Sequence, residues 1–209
     1  MSSELGAHPN SARPKFDANQ CSGVSVLANF VDTSGTLPDW VSWGELGPAL
    51  EIQRMAGVIE ARLAELGVEL PAAAAPAANY VPYVVSGKLI MVAGQVPFWN
   101  GELKGVGKVG RDLTTEQAAD IAQICALNLI AQAKVACGGD LDRIARVVKL
   151  GGFVNCVDGF TQQPEVVNGA SNLMVDVFGD AGTHARFAVG TNSLPRGVAV
   201  EVDGIFELK

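Results

Sequence analysis

The chain has 209 residues, 15 basic against 22 acidic side chains for a formal charge of −7, 48% hydrophobic residues and 18% charged ones. That length fits one domain with an appendage, and the composition is that of an ordinary globular protein, which excludes a collagen-like or wholly disordered chain. The acidic balance offers no electrostatic footprint for a phosphate backbone or an anionic membrane surface, no stretch approaches the roughly 20 apolar residues of a membrane span, and no signal-like segment opens the chain. A cytoplasmic protein with no nucleic-acid and no membrane partner is expected.

Residues 1–47 mix Ser, Asn, Pro, Gly and scattered charge without a sustained period and hold Trp40 and Trp43, so they read as an extension outside the core, which the domain division carries to residue 54. One reading starts the physiological chain at Met55. From Pro48 to Leu66, Leu50, Ile52, Val58, Ile59, Ala61, Leu63 and Leu66 fall near helical spacing, with Gly67 as the stop. The run Pro71 to Ala78 suits an extended linker, because each proline constrains the residue before it. Residues 55–78 are thus read as helix plus linker, and residues 79–209 as the main domain.

Within that domain, Tyr80 to Val85 and Lys88 to Gln95 flank Ser86-Gly87 and predict two antiparallel strands. Asn100-Gly101 and the glycines at 105, 107 and 110 mark a loop or irregular hairpin. Thr114 with Gln117 forms a capping-box pattern. The long helix that follows carries Ala118, Ile121, Ala122, Cys125, Leu129 and Ala133 on one stripe and ends at Gly138-Gly139. A strand from Ile144 to Val157 comes next. After Pro164 and Asn168, a second helix of about three turns carries Ala170, Leu173, Met174, Val177 and Phe178 and stops at Gly179. Strands over Ala185 to Thr191 and Gly197 to Leu208 close the chain. The order predicts an α+β domain with helices on one face of a mixed sheet.

Most chemical motifs are missing. No GxxxxGK[ST] or helix-opening GxGxxG is present for a phosphate, and no GxSxG elbow for acyl transfer. Cys21, Cys125, Cys137 and Cys156 lie far apart without a CxxC pair, and His8 and His184 are the two histidines, which argues against a zinc site or a disulfide framework. Cys125 and Cys137 read as buried thiols, and Asp140 and Asp142 as capping or solvated loop residues, so no metal and no cofactor are expected. What remains is Arg186 at the start of a strand-like run, with Glu201 fifteen residues on in the final strand. A guanidinium is a planar fork suited to a carboxylate, and a glutamate can orient or deprotonate a water; a solvated edge arginine and a solvent-facing strand glutamate are the bland alternatives.

At this segment the sequence resembles the RidA family, also called YjgF-like or endoribonuclease L-PSP-like proteins. The resemblance covers about residues 57–209, through SGKLIMVAGQVP, the strand around GGFVNCV, PEVVN before the last helix, and above all HARFAVGTNSLPRGVAVEVDGIFEL. It implies a chorismate-mutase-like fold, a barrel-like homotrimer with pockets between subunits, and a small carboxylate-bearing metabolite as ligand. By resemblance Arg186 falls on the family's substrate-carboxylate arginine, Glu201 on the acid that positions water, Asn168 on a pocket asparagine and Tyr80 on the pocket tyrosine, with Tyr83 competing for that role. Asn168 as a helix N-cap and Tyr80 as a packed strand residue are the plain structural alternatives. Ala93 stands where a serine commonly precedes the Gly-Gln pair, bulky Phe187 follows the arginine, and His184 replaces a small residue or proline. Three functions follow: an enamine/imine deaminase of the 2-iminobutanoate/2-iminopropanoate type, a non-catalytic metabolite-binding trimer, which Ala93 and Phe187 motivate, and a ribonuclease, which the acidic balance disfavours most.

Overall fold

The computed structural model describes residues 57–75 and 79–209. The expected extension 1–54, the start at Met55, the first part of the helix predicted from Pro48 and the end of the Pro/Ala linker lie outside the described residues. Helix α1, Val58–Glu65, stops at Gly67, whose φ of +63° is one that glycine adopts without strain. Its free N-terminal amides of Val58 and Ile59 donate to the Asp142 carboxylate at 2.7 and 2.9 Å, and Asp140 accepts from the Asp142 amide at 3.0 Å, so both aspartates act as caps. Leu63 of α1 is buried in the same core as the sheet.

Strands β1 (Tyr83–Ser86) and β2 (Leu89–Gln95) pair antiparallel, with Ser86 opposite Leu89, which puts the turn at Gly87 and Lys88. Between Val92, opposite Gly204, and Gln95, opposite Val202, β2 carries an extra residue, so Ala93 and Gly94 form a bulge. The loop expected after it contains a regular two-residue hairpin: β3 (Phe98–Trp99) and β4 (Glu102–Leu103) flank Asn100 and Gly101, with φ of 48° and 90°. Two successive positive φ values are the type I′ requirement that Asn-Gly meets best.

The capping box forms as its sequence predicts: Gln117 N donates to Thr114 Oγ1 at 3.2 Å and Thr114 N to Gln117 Oε1 at 2.9 Å, opening α2, Thr115–Ala136. The predicted stripe is buried throughout, and between Cys125 and Ala133 the helix is buried all round. Burial pushes the Cys125 thiol far above its ordinary range, which leaves it unreactive. Strand β5, Ile144–Asn155, leads to α3, Gln163–Phe178. That helix starts earlier than the spacing suggested, because Pro164 occupies its first turn, where a missing N–H costs nothing. Asn168 therefore sits inside the helix, and Gln162 is the N-cap. Strands β6, Ala185–Thr191, and β7, Val200–Leu208, follow; β7 starts three residues later than the expected Gly197, which ends a tight turn over Pro195–Gly197, while Val198 makes an isolated bridge with Val106.

The sheet order is β1-β2-β7-β5-β6, with β5 and β6 parallel and the other pairs antiparallel, an α+β architecture with α2 and α3 on one face. The helices pack closely: a Cβ on Gly169 of α3 would run into the Ala119 carbonyl of α2. Between helices and sheet lie Phe206, Ile90, Leu129, Leu150, Leu173 and Met174, each fully buried and each stabilising by roughly 1.5–3 kcal/mol. The opposite sheet face carries Glu201, Asp203, Lys149 and Phe187, and leaves Val84, Met91, Phe153 and Val189 exposed. Among the described residues no helix is long and apolar enough to cross a membrane.

Candidate functional site

Register decides where the two leading residues point. Arg186 lies beside Leu150, which pairs with Gly204, so it shares the helix-backed face. Glu201 lies beside Phe153, which pairs with Val189 on the open face. The two side chains of one chain therefore leave the sheet on opposite sides.

On the helix side Arg186 is held at two points: Nη1 donates to Ser171 Oγ at 3.0 Å and Nη2 to the Pro164 carbonyl at 3.2 Å, both in α3. Ser171 Oγ is also 3.0 Å from His184 Nε2, and His184 Nδ1 is 2.6 Å from the Gly182 carbonyl. A carbonyl can only accept, so Nδ1 carries the imidazole proton; in the neutral ring Nε2 then accepts the Ser171 hydroxyl proton, and the serine lone pair receives the guanidinium. His184 thus closes a polar chain that fixes the arginine. Asn168 is exposed one turn before Ser171 on the same helix.

On the other side Glu201 lies over the β2 bulge. A Cβ on Gly94 would collide with the Glu201 carboxylate, so this approach requires glycine. Among the described residues the carboxylate makes no hydrogen bond. Half-burial, with Asp203 beside it adding repulsion, holds its pKa above the ordinary 4.5. Asp203 sits over Gly151 in the same way, and burial raises its pKa although Lys149 pulls it back.

Glu201 faces a cavity of about 200 Å³ lined also by Tyr80, Gly94, Gln95, Asn128, Gln132 and Arg196. Arg196 has φ 58° and ψ 12°, and the Gly197 amide donates to the Leu194 carbonyl at 3.0 Å, a type II turn pattern with arginine where glycine is favoured. Its guanidinium stands 5.5 Å from the Phe98 ring centroid.

One chain thus brings Glu201 and Tyr80 into one cavity and leaves Arg186 and Asn168 outside it. Tyr83 pairs with Val92 and packs on the edge of the core, not in the cavity. Ala93 lies in the bulge with its amide donating to the Pro82 carbonyl at 2.9 Å. Phe187 stands edge-on to Phe153 with centroids 5.3 Å apart and under Lys149 Nζ at 5.3 Å, on the open face. Sequence reasoning missed Arg196, Asn128 and Gln132. The pair Asn128 and Gln132 carried a signal, two amides four residues apart in an otherwise apolar stretch of helix. Arg196 carried none beyond its place after Leu194-Pro195.

A bulged β2, a glutamate over glycine beside a small cavity and a helix-backed arginine on the opposite face are the chemical features this α+β sheet carries. The family model described as "YjgF/chorismate_mutase-like, putative endoribonuclease" matches residues 60–202. The chain belongs to this YjgF/RidA family. Protein TCP17 of Trypanosoma cruzi is 50% identical over 155 residues, 73% of this chain and 95% of that protein. The structure of Atu1372 from Agrobacterium tumefaciens, a protein of unknown function, is 49% identical with a TM-score of 0.69 and covers 77% of this chain and 99% of that one. A "putative endoribonuclease" of Shewanella oneidensis MR-1 is 36% identical with a TM-score of 0.69, covering 72% and 99%.

Proposed function

We propose that the protein is a cofactor-independent hydrolase of small 2-imino acids, acting as a cytoplasmic homotrimer whose sites lie between subunits. The observation that carries this reading is the Glu201 carboxylate, half-buried over Gly94, raised in pKa and without a partner among the described residues. Such a group accepts a proton readily at neutral pH. Glu201 takes a proton from water as the water oxygen bonds to the imine carbon and the C=N π pair moves to nitrogen. The proton passes to that nitrogen to give the carbinolamine; Glu201 then carries the hydroxyl proton to nitrogen, the C–N bond breaks with its electron pair on nitrogen while the O–H pair forms the C=O bond, and ammonia leaves with a 2-keto acid remaining. Arg186 holds the substrate carboxylate, its fork matching the two oxygens.

Because Arg186 and Glu201 leave opposite faces of the sheet, the arginine of this site comes from a neighbouring subunit. The exposed Val84, Met91, Phe153 and Val189 on the open face are suited to burial between copies. The test is release of 2-keto acid from imines generated in situ by an amino acid oxidase. Arg186→Ala is expected to lose about a hundredfold or more in kcat/KM, as removal of a charged hydrogen-bond partner implies. Mixing inactive Arg186→Ala and Glu201→Gln chains by unfolding and refolding together is expected to restore about a quarter of wild-type activity, the random share of trimer interfaces carrying both native residues. No recovery in properly assembled mixed trimers overturns the shared site.

Phe187 beside Phe153 favours a second reading, a trimer that binds 2-keto acids without turnover, since aromatic bulk occupies the face that bears Glu201. Calorimetric binding of 2-keto acids with no acceleration of imine hydrolysis decides for it. Ribonuclease activity, suggested by the relatives' naming, is opposed by the net charge of −7.

A further inference from the structure

We propose that the Glu201 cavity is a two-ended site for an amide- or amino-bearing acid, with Arg196 receiving an anionic group at its mouth and the amide oxygens of Gln95, Asn128 and Gln132 receiving N–H donors at its floor. This inference rests on the placement of the reaction at Glu201 and adds the ligand class, with Arg196 taking an anionic group other than the carboxylate that the neighbouring subunit's arginine holds beside the imine.

The floor follows from hydrogen-bond accounting. Asn128 Nδ2 donates to the Phe98 and Ile124 carbonyls at 2.7 and 2.9 Å, Gln132 Nε2 to the Ala74 carbonyl at 2.8 Å, and Gln95 Nε2 to the Ala93 carbonyl at 2.9 Å. Each nitrogen is bound to an oxygen that can only accept, so flipping any amide would set oxygen against oxygen. The amide oxygens are left without a donor among the described residues. All three side chains are more than nine-tenths buried, yet none of these oxygens is a fully sealed unpaired atom, so what exposure they keep is toward the cavity that the three residues line. With Glu201 they give the cavity a wall of acceptors, which selects N–H donors.

The mouth is of opposite character. Arg196 is exposed, makes no salt bridge among the described residues, and keeps a left-handed backbone conformation that strains an arginine, a strain that functional sites retain. Glu201 lies between the two ends, and a volume of about 200 Å³ admits only a small metabolite.

Two stable probes of equal length and shape separate the claims. Succinamate ends in an amide NH₂ and levulinate carries a methyl group in its place, with the same carboxylate at the other end. Calorimetry on the assembled protein is expected to give succinamate about tenfold or more tighter binding than levulinate. Gln132→Met, close in shape but without the amide, is expected to shrink that ratio toward one with the melting temperature monitored, and Arg196→Gln to weaken both probes by about tenfold. Equal affinities in the wild type, or unchanged affinities in Arg196→Gln, overturn the inference. Imine turnover without succinamate preference sinks this site assignment and leaves the deaminase standing; succinamate preference without imine turnover does the reverse.

Discussion

Arg186 and Glu201 are prepared in opposite ways. The arginine is tied: two of its nitrogens are bound within its own chain, through Ser171 and the Pro164 carbonyl, and the serine is tied in turn to His184, which is itself bound to the Gly182 carbonyl. The glutamate is free, lying over a glycine with no hydrogen bond among the described residues and its charge poorly solvated. A group that binds gains from having its conformational freedom removed beforehand, because the cost is met in folding and not in binding. A group that moves protons gains from the reverse, because hydrogen bonds to a carboxylate would lower its basicity. The sheet keeps the two preparations apart by sending them to opposite faces.

The sharpest break of this contrast is Glu201→Gln, which keeps shape and removes basicity. A loss of about 10²–10⁴-fold in kcat is expected, the range for a general base, with 2-keto acid affinity retained. If kcat falls less than tenfold in imine turnover, Glu201 is not the base. Gly94→Ala attacks the same residue from below. The new methyl group displaces the carboxylate, and overpacking costs about 1–3 kcal/mol in chemical denaturation, with kcat falling out of proportion to stability.

On the tied side the expected effects are smaller and of another kind. Ser171→Ala removes the Nη1 anchor but not the charge of Arg186, so KM is expected to rise by about 1–3 kcal/mol in binding terms while kcat changes little. Ser171→Thr, which keeps the hydroxyl, is expected to recover most of the loss. A fall in kcat with KM unchanged shows that the polar chain serves the chemistry and not the grip.

Much of this fold was legible in the sequence where the signal is local. The Thr114–Gln117 box, the Asn100-Gly101 turn and the helical stripe from Ala118 to Ala133 each follow from spacing within a few residues. The helix at Gln163 was misplaced because Pro164, read as a segment preceding a helix, is equally suited to a first turn. The separation of Arg186 from Glu201 could not be read at all. Alternation says which residues of one strand share a face, but the facing of β6 relative to β7 depends on the register of both against β5, which long-range packing decides. The acceptor floor was hidden for a related reason, since Asn128 and Gln132 become a site only when the β3–β4 hairpin and the Ala74 segment close on α2.

The smallest expected effect concerns pH and reaches both glutamate and aspartate on the open face. Glu201 and Asp203 are raised in the folded chain, first by burial, above the values that the unfolded chain approximates, 4.5 and 3.8. Between the unfolded and folded values the native state binds more protons than the unfolded one, so stability falls as pH rises through that window and is greatest below it. Asp203→Asn removes one contribution and relieves the repulsion on Glu201. It is therefore expected to raise the melting temperature slightly at neutral pH, to leave it nearly unchanged well below the ordinary carboxylate values, where both carboxyls are protonated in folded and unfolded chains alike, and to shift the acid limb of the pH–rate profile downward. That limb reports ionisation of Glu201, so in the wild type its midpoint should lie above the ordinary glutamate value and fall toward it in the variant. A midpoint that does not move when Asp203 loses its charge means that the group titrating in turnover is not Glu201, and the contrast between a tied cation and a free base loses its second half.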